Sequence, residues 1–258
     1  MTINCTSTLI QKPSISIVMA VYNSASYLTE AVQSIINQSF GQFELITIDD
    51  GSTDGSAELL DQLAKKDNRI RVIHQNNQGV GAATNIGIKA ATGHYIAIMD
   101  SDDLALPNRL EVQKNFLDAH WDIVGVGGQF LDIDTENRTL GLDFQSTQPE
   151  IISCCNHAFF SLHHPTTMMR RSAIEKIGLY IEDRSCLAPD YDIFTRMQAA
   201  GFRFANVSQV VIKWRLNPNG LTQSSAIAQT QSSHAIRQWG FAQLLNTNPN
   251  QARQTARN

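Results

Sequence analysis

The chain has 258 residues, 42% hydrophobic and 17% charged, enough for one large domain or a domain with an appendage. A formal net charge of −4 gives no electrostatic footprint for nucleic acid, and no apolar run approaches the roughly 18 to 20 residues that a membrane span needs. The polar start, MTINCTSTLIQKPS, lacks a signal-peptide core, and Cys5, Cys154, Cys155 and Cys186 lack zinc-ligand spacing, so the chain reads as a cytosolic protein with reduced thiols.

Residues 1–13 read as a loose leader. Ser14–Val21 is a buried strand, and Tyr22–Ser26 makes a turn into a helix with Leu28, Val32, Ile35 and Ile36 on one face. Phe43–Ile48 is a second strand that runs directly into Asp49, Asp50, Gly51, Ser52, Thr53 and Asp54. A helix over 54–66, a strand at Ile70–His74 and a helix over Gly79–Ala91, with small residues on one side, follow. The stretch Tyr95–Asp103, YIAIMDSDD, is a short apolar strand that ends in Asp100, Asp102 and Asp103. Pro107 suits the first turn of a helix that runs to Ala119. Asp122–Asp134 is strand-like, 135–149 is polar and loop-like, and 157–169 reads HAFFSLHHPTTMM. Short helices at Ser172–Ile177 and Asp190–Ala200 each end at a glycine, and Phe202–Arg215 is strand-like. Residues 221–246 carry only a weak apolar stripe of Ile236, Trp239, Leu244 and Leu245, a helical appendage, and 248–258 have no apolar anchor.

Strands alternating with helices imply right-handed crossovers and an α/β, mostly parallel, Rossmann-like sheet. Ligands of such sheets bind at the carboxyl ends of the strands. Three strand ends, at Val21–Asn23, Asp49–Asp50 and Asp100–Asp103, therefore face one crevice. Carboxylates packed this closely repel one another, and oxygen ligands suit Mg2+ or Mn2+. The bland alternative is a solvated acidic loop that caps the helix after Pro107. The first turn, AVYNSAS, has no glycine fingerprint and no G-x-x-x-x-G-K-[ST] occurs, which excludes a P-loop and disfavours a dinucleotide-binding turn.

The segments SIVMAVYNSASYLTEAVQSIINQSF, FELITIDDGSTDGS, GAATNIGIKAATGHYIAIMDSDDLALPNRL, HPTTMMRRSAIEKIGLY and APDYDIFTRM, in this order, resemble family-2 glycosyltransferases of the GT-A fold. The resemblance covers about 14–220 and implies a nucleotide-binding half at 14–106, an acceptor-binding half at 107–220 and a C-terminal appendage at 221–258. It implies that Asp50 accepts a hydrogen bond from the base, usually uracil, and an acceptor-only carboxylate suits a ring N–H. The competing role is a turn residue before Gly51. Ala20 and Tyr22 resemble the base-flanking pair, although Tyr22 suits a core equally well. Asp102 and Asp103 match the end of the D-x-D signature, with Asp103 on the metal and Asp102 on the ribose or a metal-bound water. Asp190 matches the catalytic base, against the alternative of a helix cap. Asp192 is a nearby competitor that suits a pair with Arg196.

Three positions depart from the family pattern. Pro189 stands where Glu precedes the base, Thr84 replaces the Arg before Asn85, and Asn217 stands where His closes an aromatic-Arg-x-His pattern that otherwise keeps Trp214 and Arg215. Arg215 is a candidate phosphate contact, His163 and His164 are candidates for acceptor or phosphate, and Arg170–Arg171 read as a solvated face. The resemblance thus implies a metal-dependent inverting transferase that moves sugar from a nucleotide-sugar, most often a UDP-sugar, to a saccharide or lipid-linked hydroxyl in cell-surface polysaccharide or glycolipid synthesis, with transient peripheral contact at a membrane. The alternatives are a non-catalytic relative that binds nucleotide or a partner, and a nucleotidyltransferase.

Overall fold

The computed structural model describes residues 12–155, 161–218, 220 and 226–247. The expected leader, apart from its last two residues, and the tail from 248 lie outside the described residues. In chain order the elements are β1 (Ile15–Val21), α1 (Ala25–Ile36), β2 (Phe43–Asp49), α2 (Ser56–Ala64), β3 (Ile70–His74), α3 (Val80–Ala90) and β4 (Tyr95–Ile98). Then come β5 (Leu104–Ala105), α4 (Arg109–Ala119), β6 (Ile123–Ile133), β7 (Thr139–Asp143) and α5 (Pro149–Cys155). A 3-10 turn at His164–Thr166, β8 (Met168–Arg170), α6 (Arg171–Ile177), α7 (Pro189–Ala199), β9 (Arg203–Arg215) and α8 (Ala226–Thr247) complete the chain.

The period-two alternation of β1 explains why it sits at the centre. Ile15, Ile17, Met19 and Val21 meet Leu28, Ala31, Val32 and Ile35 of α1, while Val18 turns to the other face with Ile46, Ile48 and the α3 residues Ala83 and Ile88. The small side of α3 is the contact surface expected from its sequence. A Cβ on Gly87 would lie 2.5 Å from Val18 Cγ1 and 2.6 Å from Ile48 Cδ1, so only glycine lets the helix rest on these strands.

The strand order is β3-β2-β1-β4-β8-β6-β9-β5, with β7 beside β6. Its first four strands are parallel, as the alternation implied, and the structure gives them the order 3-2-1-4. The rest corrects the expectation of a mostly parallel, Rossmann-like sheet. Four pairings are parallel (β1–β2, β1–β4, β2–β3, β6–β9) and four are antiparallel (β4–β8, β5–β9, β6–β7, β6–β8), so the sheet is mixed. The β6–β7 pairing is a hairpin, which needs only a short connection, whereas β5 and β8 reach their antiparallel partners from far along the chain. These two strands of two and three residues are too short to leave a hydrophobic period in the sequence.

Helix ends also shift. α4 begins at Arg109 with Asn108 at its cap, so Pro107 stands before the helix, where its carbonyl accepts the Ser39 N–H at 2.8 Å. α7 opens at Pro189, which puts Asp190 inside the first turn rather than at the cap. The appendage α8 packs against α7, where Ser232 Oγ accepts the Leu187 N–H at 3.3 Å. Among the described residues, no helix is long and apolar enough to cross a membrane.

Candidate active site

The loops after β1, β2 and β4 are bonded to one another. Asn23 takes a left-handed φ of 51°, which Asn tolerates, and its Oδ1 accepts the Thr53 N–H at 2.8 Å while its own N–H donates to Ser52 Oγ at 3.0 Å. The Ser24 N–H donates to Ser56 Oγ, and the Ser24 and Ser101 hydroxyls bond at 2.6 Å. The three strand ends thus form one rigid rim. Ala20 is half-buried near the end of β1, and Tyr22, just beyond it, is 53% exposed and not a core residue.

Asp50 is buried behind this rim. Its Oδ1 accepts Gln75 Nε2 at 2.6 Å and the Gln78 N–H at 2.8 Å, and its Oδ2 accepts the Gly79 N–H at 2.8 Å. A carboxylate offers about four acceptor sites, so one remains for a ligand N–H. Asp50 therefore orders the loop that starts α3. At the far side of that helix Asn85 donates to the Tyr180 carbonyl at 2.8 Å and accepts the Tyr180 N–H at 2.9 Å, fixing the segment ahead of α7. Thr84 is buried and its hydroxyl donates to the Val80 carbonyl at 2.7 Å, so it returns to its own helix.

The acidic turn is held from β9. Asp103 is completely buried; its Oδ1 accepts the Arg215 N–H at 2.8 Å, and its Oδ2 has no hydrogen-bond partner among the described residues. Burial first, then Asp100 and Asp102, push the Asp103 carboxyl well above the usual range. Burial, then the charges of Asp102 and Asp190, raise Asp100 to about 7. Asp102 Oδ2 accepts Asn217 Nδ2 at 3.0 Å. Asn217 therefore contacts the acidic turn although it is not the expected histidine.

The donor chemistry here fits a divalent cation: an orphaned, buried carboxylate oxygen among like charges is stabilised by one. Among the described residues no group of three or more His, Cys, Asp or Glu side chains is gathered to hold a metal ion. Two carboxylates, with the remaining positions filled by substrate phosphate and water, is the usual Mg2+ arrangement.

Asp190 is half-buried in the first turn of α7, and its side chain makes no hydrogen bond among the described residues. Ala188 holds the cap position, so the cap alternative does not describe Asp190. Its charge is felt by Asp100 of the acidic turn and by His164 and Tyr180. Asp192 pairs with Arg196 at 2.7 Å, as its spacing suggested.

The remaining candidates have structural partners. Arg215 donates Nε to the Asp102 carbonyl at 2.7 Å and Nη1 to the Asp134 carbonyl at 3.1 Å, and its guanidinium lies 4.4 Å from the Tyr27 ring centroid. His163 stacks on Phe130 with centroids 4.0 Å apart and meets Trp214 edge-on. Burial, then His164, push its pKa down to about 3, so the ring is uncharged at neutral pH. His164 Nε2 shares a hydrogen bond with the Tyr180 hydroxyl at 3.0 Å, and burial lowers its pKa while Asp190 opposes that shift. Arg170 donates to the carbonyls of Ile123 and Leu117, and Arg171 to that of Ala91, so neither is merely solvated. Sequence reasoning missed Arg109, Gln113 and Tyr180, whose importance comes from burial and from partners far along the chain; no local spacing marks it.

A 3-2-1-4 half-sheet extended by a mixed second half, with an acidic turn after β4 and an aspartate in the first turn of a later helix, places the chain in the GT-A fold class. The family model for glycosyl transferase family 2 matches residues 16–178, and the chain belongs to that family. It is 33% identical over 214 residues to the uncharacterized glycosyltransferase MJ1057 of Methanocaldococcus jannaschii, covering 81% of this chain and 72% of that one. Among solved structures it is similar to S. aureus TarS 1-349 in complex with UDP-GlcNAc, at 21% identity and a TM-score of 0.70 over 90% of this chain and 67% of that one. The chain spans 40% of the longer TarS chain. It is also similar to the mannosyltransferase PcManGT of Pyrobaculum calidifontis in complex with GDP-Man and Mn2+, at 19% identity and a TM-score of 0.68 over 91% and 65% of the two chains. Family membership makes the chain a glycosyltransferase by class.

Proposed function

We propose that the chain transfers a sugar from a nucleoside-diphosphate donor, first among them a UDP-sugar, to an acceptor hydroxyl with inversion at the anomeric carbon. The observation that supports this reading is that the charge of Asp190, far along the chain, is felt by Asp100 of the acidic turn. Asp50 with Ala20 and Tyr22 receives the base, and Asp102 and Asp103 hold Mn2+ or Mg2+. The cation, when bound, offsets charge on the departing diphosphate. Asp190 accepts the proton of the acceptor hydroxyl as that oxygen bonds to the anomeric carbon and the bond to the diphosphate oxygen breaks. The nucleoside diphosphate leaves on the opposite face, and one displacement inverts the centre. TarS with UDP-GlcNAc and PcManGT with GDP-Man and Mn2+, alike in fold, support a nucleotide-sugar and a cation without choosing the base. The acceptor class, a saccharide or lipid-linked hydroxyl in cell-surface polysaccharide or glycolipid synthesis, rests on family resemblance, as does a cytoplasmic site of action at the membrane edge.

Calorimetry of UDP with and without Mn2+, on wild type and Asp103→Ala, tests the donor site. Metal-dependent binding that the variant loses supports it. Binding of GDP or dTDP in place of UDP keeps the transferase reading and changes the base, whereas no binding of any of the three removes it.

A further inference from the structure

Arg109 opens α4 and is completely buried. Withdrawing a guanidinium from water is unfavourable, and buried arginines normally have a carboxylate at bonding distance. Here the hydrogen-bonding contacts are neutral. Nη2 donates to the Ile98 carbonyl at 2.7 Å and the Thr167 carbonyl at 3.4 Å, Nε to Gln113 Oε1 at 3.2 Å and Nη1 to Met99 Sδ at 3.1 Å. Gln113, one helical turn on and equally buried, donates to the Thr166 carbonyl at 2.7 Å and the Val126 carbonyl at 3.1 Å. The pair ties the last residues of β4, immediately ahead of the acidic turn, to the segment that carries His163 and His164.

None of these bonds requires a full charge. A well-packed apolar side chain in such a place is often as stabilising as a buried ion, so fold stability alone does not account for an arginine. The carboxylates whose field reaches Arg109 are Asp103 and Asp100. We propose that Arg109 is a positioning residue, a fixed positive charge beneath Asp100–Asp103 that holds the turn in its cation-binding shape before a nucleoside diphosphate arrives. Its bond to Thr167 registers that turn against the His163–Thr167 segment. The inference rests on the donor-site reading above and adds a residue that touches neither metal nor nucleotide.

The test is Mn2+ binding followed by electron paramagnetic resonance, with UDP or GDP present, on wild type, Arg109→Lys and Arg109→Met, with melting temperature measured in parallel. Arg109→Lys keeps a positive charge on fewer donors and is expected to bind Mn2+ more weakly than wild type but more tightly than the uncharged variants. Arg109→Met removes the charge and is expected to weaken Mn2+ by about tenfold or more, the scale of lost outer-sphere support at metal sites. Should Arg109→Met fail to fold, Arg109→Gln, which retains a neutral donor, is expected to show the same loss. A folded, uncharged variant that binds Mn2+ as wild type does overturns the role of Arg109 while leaving the donor site intact. Equal losses in Arg109→Lys and the uncharged variant do the same, because the charge would then be irrelevant. Wild type that binds no Mn2+ with either nucleotide overturns both readings.

Discussion

Arg215 grips Asp103 and its neighbour from one residue: its backbone N–H donates to Asp103 Oδ1 at 2.8 Å and its Nε to the Asp102 carbonyl at 2.7 Å. The end of β9 thereby fixes the acidic turn although the two lie more than a hundred residues apart. Arg215→Ala keeps the backbone bond and loses the bonds to Asp102 and Asp134 and the contact with Tyr27. The expected loss is about 2–3 kcal/mol in urea unfolding, with weaker metal-dependent nucleotide binding. A change below about 0.5 kcal/mol would mean that the guanidinium supports nothing.

Asp50→Asn replaces one acceptor oxygen with an amide that faces N–H donors. The Gln75–Gly79 loop should loosen, at about 1–3 kcal/mol. Hydrogen exchange should show the Gln78 and Gly79 amides losing protection ahead of the core strands, and nucleotide affinity should fall with them. Unaltered protection at both amides would contradict the role given to the carboxylate.

Asp190→Asn should reduce transfer by about a hundredfold or more, the range for loss of a general base, with nucleotide binding and melting temperature held. Stability should hold because the carboxylate neither caps α7 nor bonds to a neighbour among the described residues. A rate equal to wild type would remove Asp190 from the reaction. Absence of transfer in wild type, with nucleotide still bound, would favour a non-catalytic relative.

His74 gives a pH dependence with a definite sign. The hydrogen bond to Asp49 at 3.0 Å, against burial and helped by Asp61, raises the His74 pKa above its ordinary value. A group whose pKa is raised by folding contributes stability that is fully present below its unfolded value, about 6.5, and is lost as pH rises through the folded value. Burial alone would raise the Asp49 pKa, but the bonds from His74 and Ser52 outweigh it and lower it, so the Asp49 share is present above about 4 and lost in acid. The His74 ring is 44% exposed, so the effect is modest and salt-sensitive. Melting curves of wild type and His74→Ala should converge as pH rises above 7 and separate below 6.5; parallel curves across that range would exclude the linkage.

His163 has the opposite sign. Its ring is buried uncharged with Nε2 unpartnered among the described residues, so below about pH 6.5 the unfolded chain takes up a proton that the folded chain does not, down to about 3. His163→Phe preserves the stack with Phe130 and should flatten the acid limb of stability without weakening nucleotide binding. A steeper acid limb in the variant would show that the histidine is protonated in place.

The sequence alone determined the first half of the sheet and the carboxylates at its edge. β1 to β4 carry strong apolar periods, their helices have one apolar face or one small face, and strand ends that run into Asp50 or Asp100–Asp103 are local signals. A resemblance spread over five segments added Asp190, which no local pattern distinguishes from a helix cap. Only the tertiary structure decided the second half. β5 and β8 are too short to show a period, and their antiparallel pairing depends on partners far along the chain. It also decided which charges are free. Arg215 and His163 read alike as polar candidates, yet one is a clamp and the other an uncharged ring, because burial and partners set their chemistry. Arg109 is an ordinary helix residue in the sequence; only the packing of α4 beneath the acidic turn makes it a buried charge. Local composition dictates local structure, whereas desolvation and long-range hydrogen bonding arise only when the chain has closed on itself.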